Sequence, residues 1–192
     1  MEIKKEIKRI AAEIYPEIIS IRRHIHAHPE LSFEEYETSA YICKILDQWG
    51  VGYKKGIAGT GILAFLGGKS PGRTIAFRAD MDALPVNEMN EVPYKSLNIG
   101  RMHACGHDVH TSSLLGAIRI LRELKENWNG NIKFVFQPGE EKIPGGASMM
   151  LNENVFLPGE PEIIIAQHVF PEMDAGNVGF KSGQYMASSD EI

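Results

Sequence analysis

Two kinds of hydrophobic spacing alternate along the chain and predict helices that alternate with strands. Apolar residues recur every three or four positions over residues 2–27, 36–49 and 109–126, which places them on one face of a helix. Short, continuous apolar runs instead predict buried strands. These runs cover residues 61–66, 74–79, 131–137, 163–168 and 176–180. The alternation predicts an α/β fold, in which helices flank the faces of a β-sheet.

Local signals predict where several of these elements begin, end and pair. Pro16 interrupts the first helical pattern and predicts a break or kink near Tyr15. Ser32, with Glu35 three residues later, has the spacing of a capping box and predicts the start of the second helix, which Gly50 ends. A glycine-rich turn with a proline joins the first two apolar runs, so we expect them to form adjacent antiparallel strands.

Composition is ordinary for a globular protein and narrows the functional classes only slightly. The chain has 192 residues, of which 43% are hydrophobic and 23% are charged, with a formal net charge of −5. No basic block stands out, so neither nucleic acid nor a membrane surface is expected as a partner. The two cysteines, Cys43 and Cys105, form no disulfide framework, and no apolar run reaches membrane-spanning length. A cytoplasmic location is therefore expected.

The densest chemistry lies in a His-rich loop at residues 102–111, directly before the third predicted helix. Cys105 and His107 flank Gly106, and because glycine adds no side chain, both neighbours can reach one point. Thiolate sulfur and imidazole nitrogen are the ligands that zinc and related divalent metals prefer. Two simpler interpretations apply to such a loop on its own: a solvated surface rich in histidine, or a buried cysteine that serves as a small hydrophobic residue.

Polar side chains follow three of the predicted strands. They are Asp80 and Asp82 after 74–79, Glu140 and Glu141 after 131–137, and His168 at the end of 163–168. In open α/β sheets ligands bind at this edge, so we expect these residues to lie near the His-rich loop. Cys105, His107, His168 and one of the adjacent glutamates would form a mixed site of sulfur, nitrogen and oxygen donors. Such a site is sufficient for one metal ion, or for part of a two-metal site.

The adjacent glutamates suggest a division of labour. Neighbouring side chains diverge, so one glutamate can bind a metal ion while the other stays beside a metal-activated water. A carboxylate in that place can accept a proton from the water, which makes the water a nucleophile towards a carbonyl group. Taken alone, Glu140 and Glu141 would be interpreted as part of a solvated loop. Their position at a strand end, beside the other polar residues, favours the metal site.

Five sequence blocks in the same order resemble the M20 family of metal-dependent amidohydrolases, in the branch of aminoacylases, hippurate hydrolases and auxin-conjugate hydrolases. The blocks are RRHIH with PEL (residues 22–31), RADMDALP (78–85), MHACGHD (102–108), FQPGEE (136–141) and QHV (167–169). The resemblance implies a zinc-peptidase-like catalytic domain with a mixed β-sheet flanked by helices, incomplete at its C-terminus. It also implies hydrolysis of N-acyl amino acids to a carboxylic acid and a free amino acid.

The same resemblance implies roles for individual residues. The residues that match the family's metal ligands are Cys105, His107, Glu141 and His168. Glu140 matches the general base, and Asp80 and Asp82 are similar to acids that support the site from behind. The resemblance further implies two divalent metal ions per complete site, zinc or manganese, with cobalt or nickel as alternatives. It implies a small-molecule substrate and a homodimer for the full-length protein.

The chain departs from the family pattern near its C-terminal end. Family members continue into a smaller lid and dimerisation domain before the catalytic domain resumes, and residues 187–192 resemble the start of that crossover. Residues 1–186 are therefore expected to be the amino-terminal segment of the catalytic domain, and a further histidine ligand would lie in the absent part. An uncovered sheet edge in such a fragment predicts poor solubility or self-association.

The sequence supports three functional hypotheses. The first is metal-dependent hydrolysis of N-acyl amino acids by the full-length protein, with the fragment alone expected to be inactive. The second is a truncated metal-binding fragment without catalytic activity. The third is a thiol hydrolase in which Cys105 is the nucleophile and His107 or His103 is the base. The third ranks lowest, because it leaves the adjacent glutamates and His168 without a role.

Overall fold

The computed structural model describes residues 2–184, which contain one five-stranded sheet. The helices are α1 (Glu2–Ala27), α2 (Tyr36–Gln48), α3 (His107–Glu123) and α4 (Gly146–Asn152), with a short 3₁₀ turn at Lys125–Asn127. The strands are β1 (Gly52–Ile57), β2 (Gly61–Gly67), β3 (Thr74–Asp80), β4 (Asn131–Gln137) and β5 (Ile163–Ala166). None of these helices combines the length and the apolar character that a membrane crossing requires. The predicted boundary after residue 186 and the crossover at 187–192 lie outside the described residues.

The sheet is mixed, but its strand order differs from the expectation for the first two apolar runs. The order is β1-β2-β4-β3-β5, in which β2 pairs antiparallel with β1 and β4, whereas β3 pairs parallel with β4 and β5. The predicted adjacent pairing of β2 and β3 is therefore wrong. Gly67 of β2 and Thr74 of β3 both pair with Asn131, so the glycine-rich connection passes over the start of β4 instead of forming a hairpin.

Each face of the sheet buries its own hydrophobic cluster. On one face, Phe134 and Phe136 of β4 are 0% exposed and pack with apolar residues of α1, α2 and α3. On the other face, Leu63 and Val135 pack with Met150 of α4. Neighbouring strand residues alternate between the clusters because successive side chains of a strand point to opposite faces. Since α3 packs on β3 and β4, the core fixes the start of this helix relative to the strand ends.

The middle of α1 and the end of α2 test two of the local predictions. α1 continues through Pro16 without the predicted break near Tyr15. Pro16 is exposed, so water can satisfy the carbonyl group that loses its helical partner. Gly50 follows Trp49, the C-cap of α2, with a left-handed φ of 61°. Its N–H group donates to the carbonyl oxygen of Asp47 at 3.0 Å, so the helix ends at the glycine as expected.

The start of α2 differs from the capping-box prediction. The helix begins at Tyr36, and no side chain of its N-cap residue forms a capping hydrogen bond. Instead, the Glu30 carboxylate accepts hydrogen bonds from the backbone N–H groups of Glu37 and Thr38, at 3.1 and 2.7 Å. Ser32 points away, towards Asp82. The predicted capping box is therefore wrong, because the Glu30 carboxylate accepts the hydrogen bonds of the first-turn N–H groups of α2.

Strands at the two edges of the sheet also depart from the predictions. In β5, Ile163, Ile164 and Ile165 are 57%, 52% and 47% exposed, not buried, because β5 forms an edge of the sheet in the described structure. Residues 176–180, predicted as a strand, form no strand pairing within residues 2–184. β1, at the opposite edge, was not predicted, since its sequence is polar and glycine-containing.

We expect Glu30→Ala to lower the free energy of unfolding by about 1 kcal/mol, because two N–H groups of the first turn of α2 lose their acceptor. Glu30→Gln keeps one acceptor oxygen and should lose less. Urea unfolding followed by circular dichroism measures both changes. Glu34→Ala, at the exposed glutamate that pairs with Arg101, is the control and should change the stability by less than about 0.5 kcal/mol. Equal losses at both positions would contradict the capping role.

Candidate metal centre

The candidate site lies where the C-terminal ends of three strands meet the first turn of α3. β3 ends at Asp80, which pairs with Gln137 at the end of β4, and the parallel strand β5 runs beside β3 as far as Ala166. Parallel strands bring these ends to one edge of the sheet, where α/β folds bind ligands. α3 begins at the same edge with His107.

A left-handed glycine brings Cys105 and His107 to one side of the loop before α3. Gly106 is the N-cap of α3 and has φ +84°, a conformation that other residues adopt only with strain. A Cβ atom at this position would lie 2.4 Å from Cγ2 of Val169, so the segment after β5 packs directly on the glycine. Gly106 therefore sets both the turn between the two side chains and the close approach of the residue after His168.

His107 lies at the centre of the site. Its Nδ1 is 3.1 Å from Oδ1 of Asp82, and its Nε2 is buried without a hydrogen-bond partner among the described residues. Oε1 of Glu141, buried and equally without a partner there, lies 3.6 Å from that Nε2. If Nδ1 donates to Asp82, the Nε2 lone pair faces the carboxylate, as in histidines that bind metals. Two buried atoms that face each other with lone pairs are energetically unfavourable unless a cation lies between them. This pair, His107 Nε2 and Glu141 Oε1, therefore fits a metal ion.

Asp82 holds this arrangement from behind. Its Oδ2 accepts hydrogen bonds from Ser32 Oγ at 2.6 Å and from the Glu141 backbone N–H at 2.9 Å, while its Oδ1 faces His107. Burial alone would raise the pKa of Asp82, but the hydrogen bonds from His107, Ser32 and Glu141 lower it. Asp82 therefore stays ionised where it can orient the His107 ring, and it joins that ring to the loop that carries the glutamates.

Cys105 and His168 form the sulfur and nitrogen side of the site. Sγ of Cys105 lies 3.4 Å from Nε2 of His168, whose Nδ1 lies 2.7 Å from the carbonyl oxygen of the next residue. Donor atoms of Cys105, His107 and His168 lie within 4.8 Å of one another, as do those of His107, Glu140 and Glu141. The structure therefore brings the other three predicted ligands, Cys105, Glu141 and His168, close to His107. The four residues come from three separate segments of the chain.

Glu140 lies on the open side of the site. Its Oε2 is 3.9 Å from Nε2 of His107, and its side chain is 41% exposed. Burial, followed by repulsion from Glu141 and Asp80, raises the pKa of Glu140. A carboxyl group with a raised pKa and access to solvent is suited to accept a proton and to return it.

The carboxylates give the site an excess of negative charge. Burial, with the hydrogen bond and charge of Glu141, raises the pKa of the Cys105 thiol to about 12. Burial lowers the pKa of His107, but the hydrogen bond that its ring donates to Asp82 and the charge of Asp80 outweigh the burial and raise this pKa. The cluster thus favours cations and disfavours a thiolate, unless a positive charge lies beside the sulfur. A zinc-like ion supplies that charge, and these donors suit it.

Asp80 lies deeper in the site and has other partners. Its Oδ1 is 2.6 Å from Nδ1 of His110, and its Oδ2 accepts a hydrogen bond from Arg78 at 2.7 Å. Burial would raise the pKa of Asp80, but the hydrogen bond from His110 and the charge of Arg78 lower it to about 2. Asp80 therefore stays ionised, with its Oδ2 3.7 Å from Nε2 of His107.

Sequence reasoning missed two buried residues that organise the site, Glu35 and His110. Glu35 is 0% exposed and accepts hydrogen bonds from the Gly139 N–H at 2.7 Å and from Thr60 Oγ1 at 2.6 Å. Burial raises the pKa of Glu35, and these hydrogen bonds act in the opposite direction. The carboxylate thus fixes the residue before Glu140. Its position in a segment interpreted as a capping box concealed this role.

A second buried polar cluster lies behind the His-rich loop. Nδ1 of His26 is 2.8 Å from Oδ2 of Asp108, and its Nε2 is 3.0 Å from Oε1 of Glu88. His103 lies beside His26 and is 4% exposed, and neither of its ring nitrogens has a hydrogen-bond partner within residues 2–184. Burial lowers the pKa of His103 to about 4. It forms no hydrogen bond with Cys105, as the base of a thiol nucleophile would.

This chain matches a protein-family model and is similar in sequence to curated proteins. Residues 76–188 match the model of peptidase family M20/M25/M40. The chain is 42% identical over 189 residues to an N-acyl-L-amino acid amidohydrolase of Geobacillus stearothermophilus, which covers 98% of this chain and 50% of that protein. It is 44% identical over 176 residues to an N-acetyl-L-cysteine deacetylase of Bacillus subtilis, which covers 92% of this chain and 42% of that protein. The chain therefore spans about half the length of the curated relatives it matches.

A solved structure shares the fold. The Bacillus subtilis YXEP protein, named a dinuclear metal binding peptidase from the M20 family, superposes with a TM-score of 0.84 at 36% sequence identity. The superposition covers 90% of this chain and 48% of that one. This chain therefore shares its fold with a protein that is named as a dinuclear metal binding peptidase.

We expect His103→Leu to make the metal-free protein less sensitive to acid. Because the pKa of His103 falls from 6.5 to about 4 on folding, the folded state binds fewer protons than the unfolded state in this interval. Stability is therefore lost as the pH falls from 6.5 towards 4, by about 3 kcal/mol from this group, and the leucine variant should not show that part of the loss. Urea titrations at successive pH values measure the difference.

His103→Gln is the matched control for that experiment, because glutamine is polar and similar in size but has no titrating proton. It should flatten the pH dependence as leucine does, even if its stability at neutral pH is lower. An unchanged slope in both variants would show that another group causes the acid sensitivity.

Proposed function

The chain belongs to peptidase family M20/M25/M40, and on this basis we propose that the complete protein hydrolyses N-acyl amino acids to a carboxylic acid and a free amino acid. The observation that carries the proposal is the facing pair of buried atoms, His107 Nε2 and Glu141 Oε1, which have no hydrogen-bond partner within residues 2–184. They lie within a set of sulfur, nitrogen and oxygen donors. Similar proteins named as an amidohydrolase of N-acyl amino acids and as a deacetylase support the substrate class. The activity is proposed for the whole protein, of which this chain spans about half by comparison with those relatives.

Four residues would hold the metal ion. Cys105, His107 and His168 offer sulfur and nitrogen, and Glu141 offers a carboxylate oxygen. This donor set suits zinc, and manganese, cobalt and nickel are compatible with it. The similarity to a dinuclear metal binding peptidase supports two ions per complete site. A divalent ion bound here would supply Lewis acidity towards a water molecule and the substrate carbonyl group.

Glu140 is the proposed general base and then the general acid. It takes a proton from water as the water oxygen forms its bond to the amide carbon. It returns that proton to the amide nitrogen as the carbon–nitrogen bond breaks, so that the amino acid leaves with a neutral amine. Its place on the open side of the site, next to the proposed ligand Glu141, supports this role. Asp82 would keep the His107 ring oriented through the contact at Nδ1.

A thiol hydrolase with Cys105 as the nucleophile fits the site less well. Burial and the nearby carboxylates raise the pKa of this thiol to about 12, which is opposite to the environment of a reactive cysteine. Chelation separates the two mechanisms: a metal-dependent enzyme loses activity to a chelator and regains it with metal, whereas a thiol enzyme loses activity only to alkylation.

We expect this chain, reconstituted with Zn²⁺, to bind about one or two equivalents of metal. Cys105→Ala should weaken the binding by at least about 10-fold, because it removes a proposed ligand. Equilibrium dialysis with metal analysis measures both quantities. Cys43→Ala is the matched control, since Cys43 is buried in the core on α2, and its metal content should equal that of the parent chain. The same affinity in both cysteine variants would exclude Cys105 as a ligand.

Substitutions of the adjacent glutamates should both lower activity in the full-length protein but should differ in their effect on bound metal. Glu140→Gln should keep the bound metal but lower the rate of N-acyl amino acid hydrolysis by about 10²–10⁴-fold, because the proton acceptor is lost. Glu141→Gln should lose metal as well as activity. Metal content and turnover are measured on the same preparations. Equal loss of metal in the two variants would contradict the division of roles.

A further inference from the structure

His110 lies one helical turn after His107 on α3 and is 1% exposed. Its ring centroid is 5.4 Å from that of His107 and 4.7 Å from that of His168. Donor atoms of Asp80, His107 and His110 lie within 4.8 Å of one another, so by position alone His110 could serve as a metal ligand. The hydrogen bonds of its ring point to a different role.

Both ring nitrogens of His110 already have partners. Nε2 lies 3.0 Å from the backbone nitrogen of Val169, and Nδ1 lies 2.6 Å from Oδ1 of Asp80. A backbone N–H can only donate, so Nε2 must accept, and the proton of the neutral ring must then be on Nδ1, which donates to Asp80. No lone pair of His110 is left for a metal ion unless one of these bonds breaks.

We propose that His110 is a positioning residue, which holds the segment after β5 so that His168 stays within reach of Cys105, and that it is not itself a metal ligand. The significance of that reach rests on the proposed function. The contact between the His110 ring and the Val169 backbone does not depend on it.

The segment after β5 needs such a contact. β5 is an exposed edge strand, and its pairing with β3 ends at Ala166, two residues before His168. The His168 ring contacts the carbonyl oxygen of the next residue, which moves with it and cannot anchor it. The bond from the Val169 N–H to His110, with the packing of Val169 on Gly106, joins this segment to the start of α3.

His110 is itself firmly held. Asp80, which accepts from its Nδ1, also accepts a hydrogen bond from Arg78, and the Thr111 hydroxyl donates to the Asp80 carbonyl oxygen at 2.8 Å. The ring therefore transmits the position of the end of β3 to the segment after β5. In this way the ends of β3 and β5 and the helix that carries His107 are held in fixed positions relative to one another.

Two amide substitutions separate the two ring contacts. His110→Gln places an amide oxygen near the position of Nε2, where it can accept from the Val169 N–H. His110→Asn reaches only as far as Nδ1, so it can contact Asp80 but not Val169. Ser112→Ala is the control, because it removes a side-chain hydrogen bond of the same helix, to the Val109 carbonyl oxygen at 3.1 Å, that involves neither Asp80 nor Val169.

Hydrogen exchange of the Val169 amide, measured by NMR on the metal-free chain, tests the contact itself. We expect exchange about 10-fold faster in His110→Asn, and close to the parent rate in His110→Gln and Ser112→Ala. Co²⁺ binding then tests the consequence for the site. His110→Asn should bind Co²⁺ about 10-fold to 100-fold more weakly, with a weaker thiolate-to-cobalt charge-transfer band, and His110→Gln should recover most of both.

Three other outcomes are informative. Equal loss of Co²⁺ in the Asn and Gln variants, with Val169 exchange unchanged, would make His110 a ligand and overturn the proposal. Parent-like exchange and Co²⁺ binding in His110→Asn would overturn it as well. If Val169 exchange still separated Asn from Gln while neither this chain nor the full-length protein bound Co²⁺, the positioning contact would be supported and the proposed metal-dependent function would fail.

Discussion

The arrangement of this site depends on the hydrogen bonds of the buried Asp82 carboxylate. It is 1% exposed, and it joins the Ser32 hydroxyl, the His107 ring and the Glu141 backbone, which come from three distant parts of the chain. A buried carboxylate that lost such partners would be strongly unfavourable, so none of the three segments can move away without a large cost. The conformations of the loops that carry Ser32 and Glu141 are therefore coupled to the orientation of the His107 ring.

Other buried acids repeat this principle around the site. Asp80 joins the end of β3 to α3, Glu35 joins the loop before α2 to the turn after β4, and Asp108 joins α3 to His26 of α1. The hydrophobic clusters align the strands, but they do not specify loop conformations at the sheet edge. Buried charges do so, because each requires donors in fixed directions. Precision at the site thus comes from polar contacts, and stability comes mainly from the apolar faces of the sheet.

The alternation of helices and strands, the mixed sheet and the family were predictable from the sequence, and the structure and the family comparison confirm them. Hydrophobic periodicity is a local property, which is why β4 was located correctly at 131–137. The polar residues at the strand ends were also correctly expected to lie together, because parallel strands end at one edge. The roles of Ser32, Glu35 and His110 were not predictable, since each is defined by a partner far away in sequence. The pairing of β2 with β3 failed for the same reason.

The position of β4 between β2 and β3 has a consequence for how the chain folds. β2 and β3 are neighbours in sequence, yet the strand that joins them begins only at Asn131. A hairpin of β2 with β3 would be a non-native pairing, because β4 lies between these two strands in the sheet. Chains whose contacts are distant in sequence fold slowly, because a long loop must close before any contact rewards it. Of the strands β2, β3 and β4, the central strand β4 is the last to be synthesised. The pairing of all three can form only after β4 has been added to the chain.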